Sequence, residues 1–227
     1  MSGETHFEEQ CGHAFRELRD SASVELSEDH YGPVSQRLSD VDYAFQSLAD
    51  NHDVHLGQEF RRYFFRYNEI GASWRITGTH SVAVGEFFLT HIYRCVAENF
   101  MEDSWEPRNG TEERIFPDLR IIDDPAWGGS GMVTAIRVAP GVSNPEIWFY
   151  DLQRGLFQLA MNYGEYLENL LTTKGIAGWQ YLFADVQLGE PAFRPVASHL
   201  KGAFEMIPDV FPDHDYTPLQ MRLEERL

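Results

Sequence analysis

The sequence predicts an α+β fold: a mainly antiparallel sheet packed against helices, with a helical segment at the N-terminus and a helix near the C-terminus. Three observations predict it. Apolar residues recur at helical spacing early in the chain. Strand-like runs separated by turn residues dominate its middle. Residues 144–175 then hold a strand, a turn, a second strand and a helix in succession. In that stretch Glu146-Ile147-Trp148-Phe149-Tyr150-Asp151 is an extended run, and Gln153-Arg154-Gly155 is a turn. A second apolar run covers 156–161, and a helix covers 163–173 with Tyr166, Leu167, Leu170 and Leu171 on one side. Gly175 suits the position just past that helix end.

The other elements follow in order. Phe7, Cys11, Ala14, Phe15 and Leu18 share one helical face, which predicts a helix over 7–19. Residues 21–32 are polar and read as loop. Pro33 suits the first turn of a second helix reaching residue 50, with Val34, Leu38, Val41, Phe45 and Leu48 inward. A third helix is expected over 58–67, with Phe60, Phe64 and Tyr67 on one face and Arg61, Arg62 and Arg66 largely on the other. Residues 68–85 read as loop with a short strand. Phe88, Ile92, Val96 and Phe100 predict a helix over 86–100. Strands are expected over 114–122 and 132–139, separated by a Gly-, Asp- and Pro-rich turn. Residues 177–185 form a dense aromatic block, a buried short helix or strand. A final helix covers 193–207. The tail, 208–227, is expected to pack loosely. With no internal repeat and no linker, residues 1–227 form one domain.

Composition limits the function classes. A chain of 227 residues with 14% aromatics buries roughly 70% of its unfolded surface and needs no disulfide or metal staple. Two cysteines, Cys11 and Cys95, make no disulfide framework, and a reduced cytoplasmic setting is the simpler expectation. The first residues lack a basic and then apolar leader, so no signal peptide is expected. No apolar run approaches the roughly 20 residues of a membrane span. Eighteen Lys and Arg against 36 Asp and Glu leave a net charge of −18. Such a surface repels nucleic acids and anionic membranes and attracts a basic partner. The same charge favours a solvated amphipathic helix over a nucleic-acid surface for the arginine-rich segment 58–67. It also serves plain solubility.

No reaction motif is visible. His52-Asp53-Val54-His55 has too few donors to predict a metal site, and Asp213-His214-Asp215, which could make a cation-binding cluster, lies between Pro212 and Pro218 near the end of the chain and is not expected to hold one. Gly128-Gly129-Ser130-Gly131 lacks the Lys-Ser/Thr and the following helix of a phosphate loop, so it reads as a hairpin turn. Cys11 and Cys95 fall on apolar helical faces and read as core. No catalytic residue, cofactor or metal is therefore expected. The absence shifts weight toward a binding protein.

Leu56-Gly57-Gln58-Glu59-Phe60-Arg61-Arg62-Tyr63-Phe64-Phe65-Arg66-Tyr67-Asn68 resembles a segment of the SUKH superfamily that usually reads leucine-proline-x-x-tyrosine, a helix, then asparagine-glycine. Glu146 to Tyr150 is similar to the family's late strand, and Tyr163-Gly164-Glu165-Tyr166-Leu167-Glu168-Asn169-Leu170-Leu171 to the helix after it. The resemblance covers residues 56–173. Gly57 stands where proline is usual, and Glu69-Ile70 replaces the glycines after Asn68. The resemblance implies a fold without catalysis and a common role as an immunity protein that neutralises a toxin delivered between bacteria, often a basic nuclease. The expected contacts are acidic and aromatic loop groups: Asp123, Asp124, Trp127 and Glu146. Solvated turn residues are the competing account of each. An alternative function is an enzyme or small-molecule-binding protein with a pocket lined by Trp74, Trp127, Trp148 and Trp179.

Overall fold

The computed structural model describes residues 4–34, 37–77, 83–98, 106–125 and 127–227. The order is α1 (His6–Asp20), β1 (Val24–Tyr31), α2 (Val41–His52), α3 (Gln58–Arg62), β2 (Glu69–Ile76), β3 (Val84–Thr90), α4 (Ile92–Glu98) and α5 (Gly110–Ile115). There follow β4 (Leu119–Asp123), β5 (Met132–Arg137), β6 (Ile147–Asp151), β7 (Gly155–Leu159), α6 (Tyr163–Thr173), α7 (Arg194–Val210) and α8 (Thr217–Arg226). The seven strands form one antiparallel meander in the order β1 to β7. The fold is thus α+β, as expected.

The sheet has a helix-rich face and an outer face. On the first, α1, α6 and α7 pack Phe15, Leu167 and Leu200 into a core with Ile70, Phe87 and Phe149 of the sheet. On the outer face of β4–β6, α5 and the turn after it cover Leu119, Ile121, Val133, Ala135 and Trp148 with Ile115 and Phe116. Alternation along each strand produces the two faces. Among the described residues no helix lies over the outer face of β1–β3. That bare face positions the site described below.

Several elements match the expectations closely: α1, β5, β6, β7 and α6. The α6 helix starts at a capping box, in which Asn162 Oδ1 accepts from Glu165 N–H (2.8 Å) and Glu165 returns a bond to Asn162 N–H (2.8 Å). Other expectations are corrected. Residues 21–32 contain β1, an edge strand whose Glu25, Glu28 and Asp29 mask its period-two pattern. Charge on an edge strand discourages pairing with other chains. The second helix is only α2. Val34 instead makes a strand-like bridge to Tyr67, and residues 35–36 lie outside the described chain. The third helix stops at Arg62, because Tyr63, Phe64 and Phe65 are all buried and three consecutive residues cannot share one helix face.

The expected helix over 86–100 is β3 followed by α4. Gly85, Phe87 and Leu89 point inward with period two, and Phe88 faces out. Its far end, 99–100, lies outside the described residues. The expected strand over 114–122 begins only at Leu119, after α5 and a 3-10 turn (Phe116–Asp118). The aromatic block contains a buried 3-10 turn, Trp179–Leu182. The tail does not pack loosely. It forms α8, whose Leu219 and Leu223 are buried against α7.

One close approach has a measurable consequence. A Cβ added at Gly85 would lie 2.4 Å from the indole of Trp74, which is 2% exposed and pinned by Nε1–H donating to Lys174 O (2.7 Å). Gly85→Ala must displace a fixed ring. It is expected to lower stability by about 1–3 kcal/mol in urea unfolding. An unchanged midpoint would contradict this packing.

Candidate functional site at the gap between β3 and β4

The sheet is nearly split at its centre. β3 and β4 pair through Leu89 and Asp123 alone. Phe88 N–H donates to Asp123 Oδ1 (2.7 Å), and Asp124 N–H donates to Phe88 O (3.1 Å). The rest of β3 bonds elsewhere. Glu86 N–H donates to Gly175 O (2.9 Å), and Ala177 N–H donates to Val84 O (3.1 Å). Segment 175–177, just past α6, therefore replaces β4 along half of β3. Gly175 makes this possible: its φ is +73°, and a Cβ there would meet Glu86 O at 2.4 Å.

The β4–β5 connection folds over the bare outer face. Gly129 and Gly131 turn it with φ of +62° and +66°, in keeping with a hairpin turn. Gly128 N–H donates to Glu86 Oε2 (2.7 Å). Trp127 lies over Gly71 and meets Phe88 edge-on, with ring centroids 5.2 Å apart. Phe88 in turn stacks on His30 at 5.8 Å. The result is an aromatic ridge, His30–Phe88–Trp127, in which Trp127 remains 40% exposed.

Beside the ridge a cavity of about 340 Å³ opens at the gap. Its walls include Trp74, Glu86, Pro125, Met132, Ile176 and Gln180. A second hollow of about 280 Å³ continues it toward α7, sharing Ser130, Met132, Ala177 and Gly178, and reaches Arg154 and His199. Behind the first cavity lies a buried polar chain. The Tyr166 hydroxyl donates to Asp123 Oδ2 (2.6 Å) and lies 3.0 Å from the Thr134 hydroxyl, with the Gln180 side chain beside it. Burial pushes the Asp123 carboxyl up to about 6, while the bonds from Tyr166 and Phe88 oppose the rise and Asp124 and Glu86 add to it. Burial also raises Asp124.

The four expected contact residues are distributed unevenly. Asp123 is 1% exposed, so it is a core carboxylate and offers no contact surface. The strand irregularity between Ile121 and Asp123 turns it inward. Asp124 is half-buried at the mouth of the gap, next to the Trp127 ridge. Glu146 is exposed but lies at the other end of the sheet, where Trp148 Nε1–H donates to it (3.0 Å) and Arg137 bridges it (3.4 Å) to Asp118 (3.2 Å). Of the four tryptophans expected to line one pocket, Trp74 lines the cavity and Trp127 flanks it. Trp148 belongs to the opposite cluster, and Trp179 packs inward on Tyr166 at 5.1 Å. Glu86 and Gln180 were not singled out from the sequence. No local pattern marks them, because the gap that joins them exists only in the folded chain.

A second buried charged cluster ties α1 to α6 and the 211–216 turn. Lys174 is fully buried at the α6 end with Nζ 3.2 Å from Glu17 and 3.1 Å from His214, over the Phe211 ring at 4.4 Å. Burial lowers the Lys174 ammonium, and Glu17 offsets part of that. Burial disfavours the Glu17 carboxylate, but the His214 bond and the Lys174 charge outweigh it and hold it down at about 2. His214 thus belongs to this cluster. Among the described residues no three His, Cys, Asp or Glu groups could hold a metal ion. Cys11 and Cys95 are fully buried, and burial pushes both thiols up. No helix of the described residues is long and apolar enough to cross a membrane.

Compared with protein-family models, curated proteins and solved structures, the chain matches none.

Proposed function

We propose that the protein is a non-enzymatic, cytoplasmic protein-binding protein of the immunity type, which captures a basic toxin domain such as a nuclease on the outer face of β1–β3. The observation that carries this reading is the ridge. Trp127 is 40% exposed on a sheet face that no described helix covers, in a chain of net charge −18. A half-exposed Trp supported by a second aromatic is the kind of anchor that dominates interfaces. The excess acid supplies attraction and orientation toward a basic partner, and mainly raises the association rate. The resemblance of residues 56–173 to the SUKH superfamily supports the same reading.

The experiment is a pull-down from native cell extract with tagged protein at low and high salt, followed by a nuclease assay on whatever is retained. One basic partner, lost at high salt and inhibited by the protein, is the expected result. Trp127→Ala is expected to weaken that complex by about 2 kcal/mol or more, about thirtyfold. Retention of no basic partner at either salt, or full binding by Trp127→Ala, contradicts the proposal. A second reading, binding of a small molecule, is favoured by one specific observation: unpartnered acceptors in the adjoining cavity.

A further inference from the structure

Two oxygens at the cavity have no hydrogen-bond partner among the described residues, Glu86 Oε1 and Gln180 Oε1, and both atoms are buried. Gln180 is only 6% exposed. Its side chain lies beside the Tyr166 hydroxyl, which Asp123 holds in turn, and it lines the cavity. Glu86 is held by its other oxygen, which accepts Gly128 N–H at 2.7 Å. An unmet buried acceptor costs free energy comparable to a lost hydrogen bond, more when it is charged. Both oxygens can only accept, so the complementary ligand is a donor. The carboxylate makes a cation the favoured donor.

The rest of the wall fits such a ligand. Arg75 is the one cation among the described lining residues, and Glu25 engages it with three N–H···O contacts of 2.7–3.0 Å. Its charge is therefore matched on the spot. Trp74, Pro125, Met132 and Ile176 form an apolar surface for a stem. A planar guanidinium presents donors in several directions and can reach two acceptors on separate elements, which a point-like ammonium does less well. It would give these unmet oxygens charge-assisted bonds.

We propose that the cavity at the β3–β4 gap is a binding site for an alkylguanidinium group, with Glu86 Oε1 and Gln180 Oε1 receiving its N–H donors and Trp74, Met132 and Ile176 receiving its stem. A free small cation and an arginine side chain of a bound protein carry this same chemistry. The site does not depend on the toxin-binding reading, since a free cation would occupy it equally.

The test is calorimetric titration of the full chain with butylguanidinium, its neutral analogue butylurea, and the capped peptide acetyl-Gly-Arg-Gly-amide. Saturable one-to-one binding is expected for butylguanidinium or the peptide, and at least tenfold weaker binding for butylurea. Binding by butylguanidinium alone identifies a free small cation as the source. Binding by the peptide alone identifies a side chain, and binding by both shows that the head group suffices. Glu86→Gln, which keeps an acceptor for Gly128, and Gln180→Met, which keeps the volume, should each weaken binding tenfold or more. Glu205→Gln, an exposed change on α7, should leave it unchanged. The proposal is overturned if neither cation saturates, if both cavity variants bind as the parent does, or if Glu205→Gln weakens binding equally, which would mark diffuse attraction to an acidic surface.

Discussion

Replacing Glu8 with alanine is expected to lower the unfolding free energy by about 3–5 kcal/mol. Glu8 is completely buried in the first turn of α1, where it both caps that helix and ties it to Arg66. One oxygen accepts from the backbone and side-chain N–H groups of Arg66. The other meets the guanidinium at 2.7 Å and accepts Thr5 N–H at 2.9 Å, closing the capping box. Arg66 itself is only 18% exposed at its side chain. Alanine at position 8 leaves these donors without this acceptor and opens the joint between α1 and the 63–66 turn. Breaking one partner of a buried pair costs more than the pair contributes, because the remaining charge keeps its desolvation penalty. Urea unfolding at pH 7 measures the effect. A loss below about 1 kcal/mol would place this pair among ordinary surface ion pairs, which contribute that little.

Asp123→Asn is expected to change how stability depends on pH by about 3 kcal/mol, and to do so in a defined direction. Two buried groups act oppositely. The folded Asp123 carboxyl titrates at about 6 against an ordinary 3.8, so its contribution is fully present below 3.8 and is lost as pH rises through 6. His91 is buried and held down at about 4 against an ordinary 6.5, so its contribution is present above 6.5 and is lost as pH falls through 4. Each shift is about two units, equivalent to about 3 kcal/mol. The two slopes oppose each other between pH 4 and 6. Asparagine removes the Asp123 slope. Its oxygen can still accept Phe88 N–H, and its amide can donate to the Tyr166 hydroxyl. The variant should therefore lose about 3 kcal/mol more stability than the native protein as pH falls from about 6.5 to 4. Urea midpoints at four pH values decide it. Parallel profiles for the two proteins would show that Asp123 does not titrate in this window.

What was legible in the sequence follows from the physics of each element. α1 and α6 were readable because an isolated amphipathic helix carries its whole signal in local spacing. β6 was readable because it is a continuous apolar run buried along its length, and β5 because its alternation marks a strand. β1 was not, because an edge strand is half solvated and its charges resemble those of a loop. The segment 86–100 deceived for another reason. Phe88, Ile92 and Val96 stand four apart, but Phe88 belongs to the outer face of a strand and the other two to a helix behind it. The site was legible only in part. Trp127 is a surface aromatic in a turn and could be picked out locally. Asp123 shares that turn, but a one-residue irregularity in β4 sends it into the core beside Tyr166. Glu86 and Gln180 acquire meaning only when segment 175–177 displaces β4 from β3, a tertiary event with no sequence pattern of its own.

The central claim is that the outer face of β1–β3 is where the partner binds. Hydrogen–deuterium exchange of the protein, alone and saturated with the retained basic partner, tests it most directly. Slowed exchange is expected in β1–β3 and in the turn from 124 to 131 around Trp127. Protection confined to α7 and α8, with that turn unchanged, would contradict it.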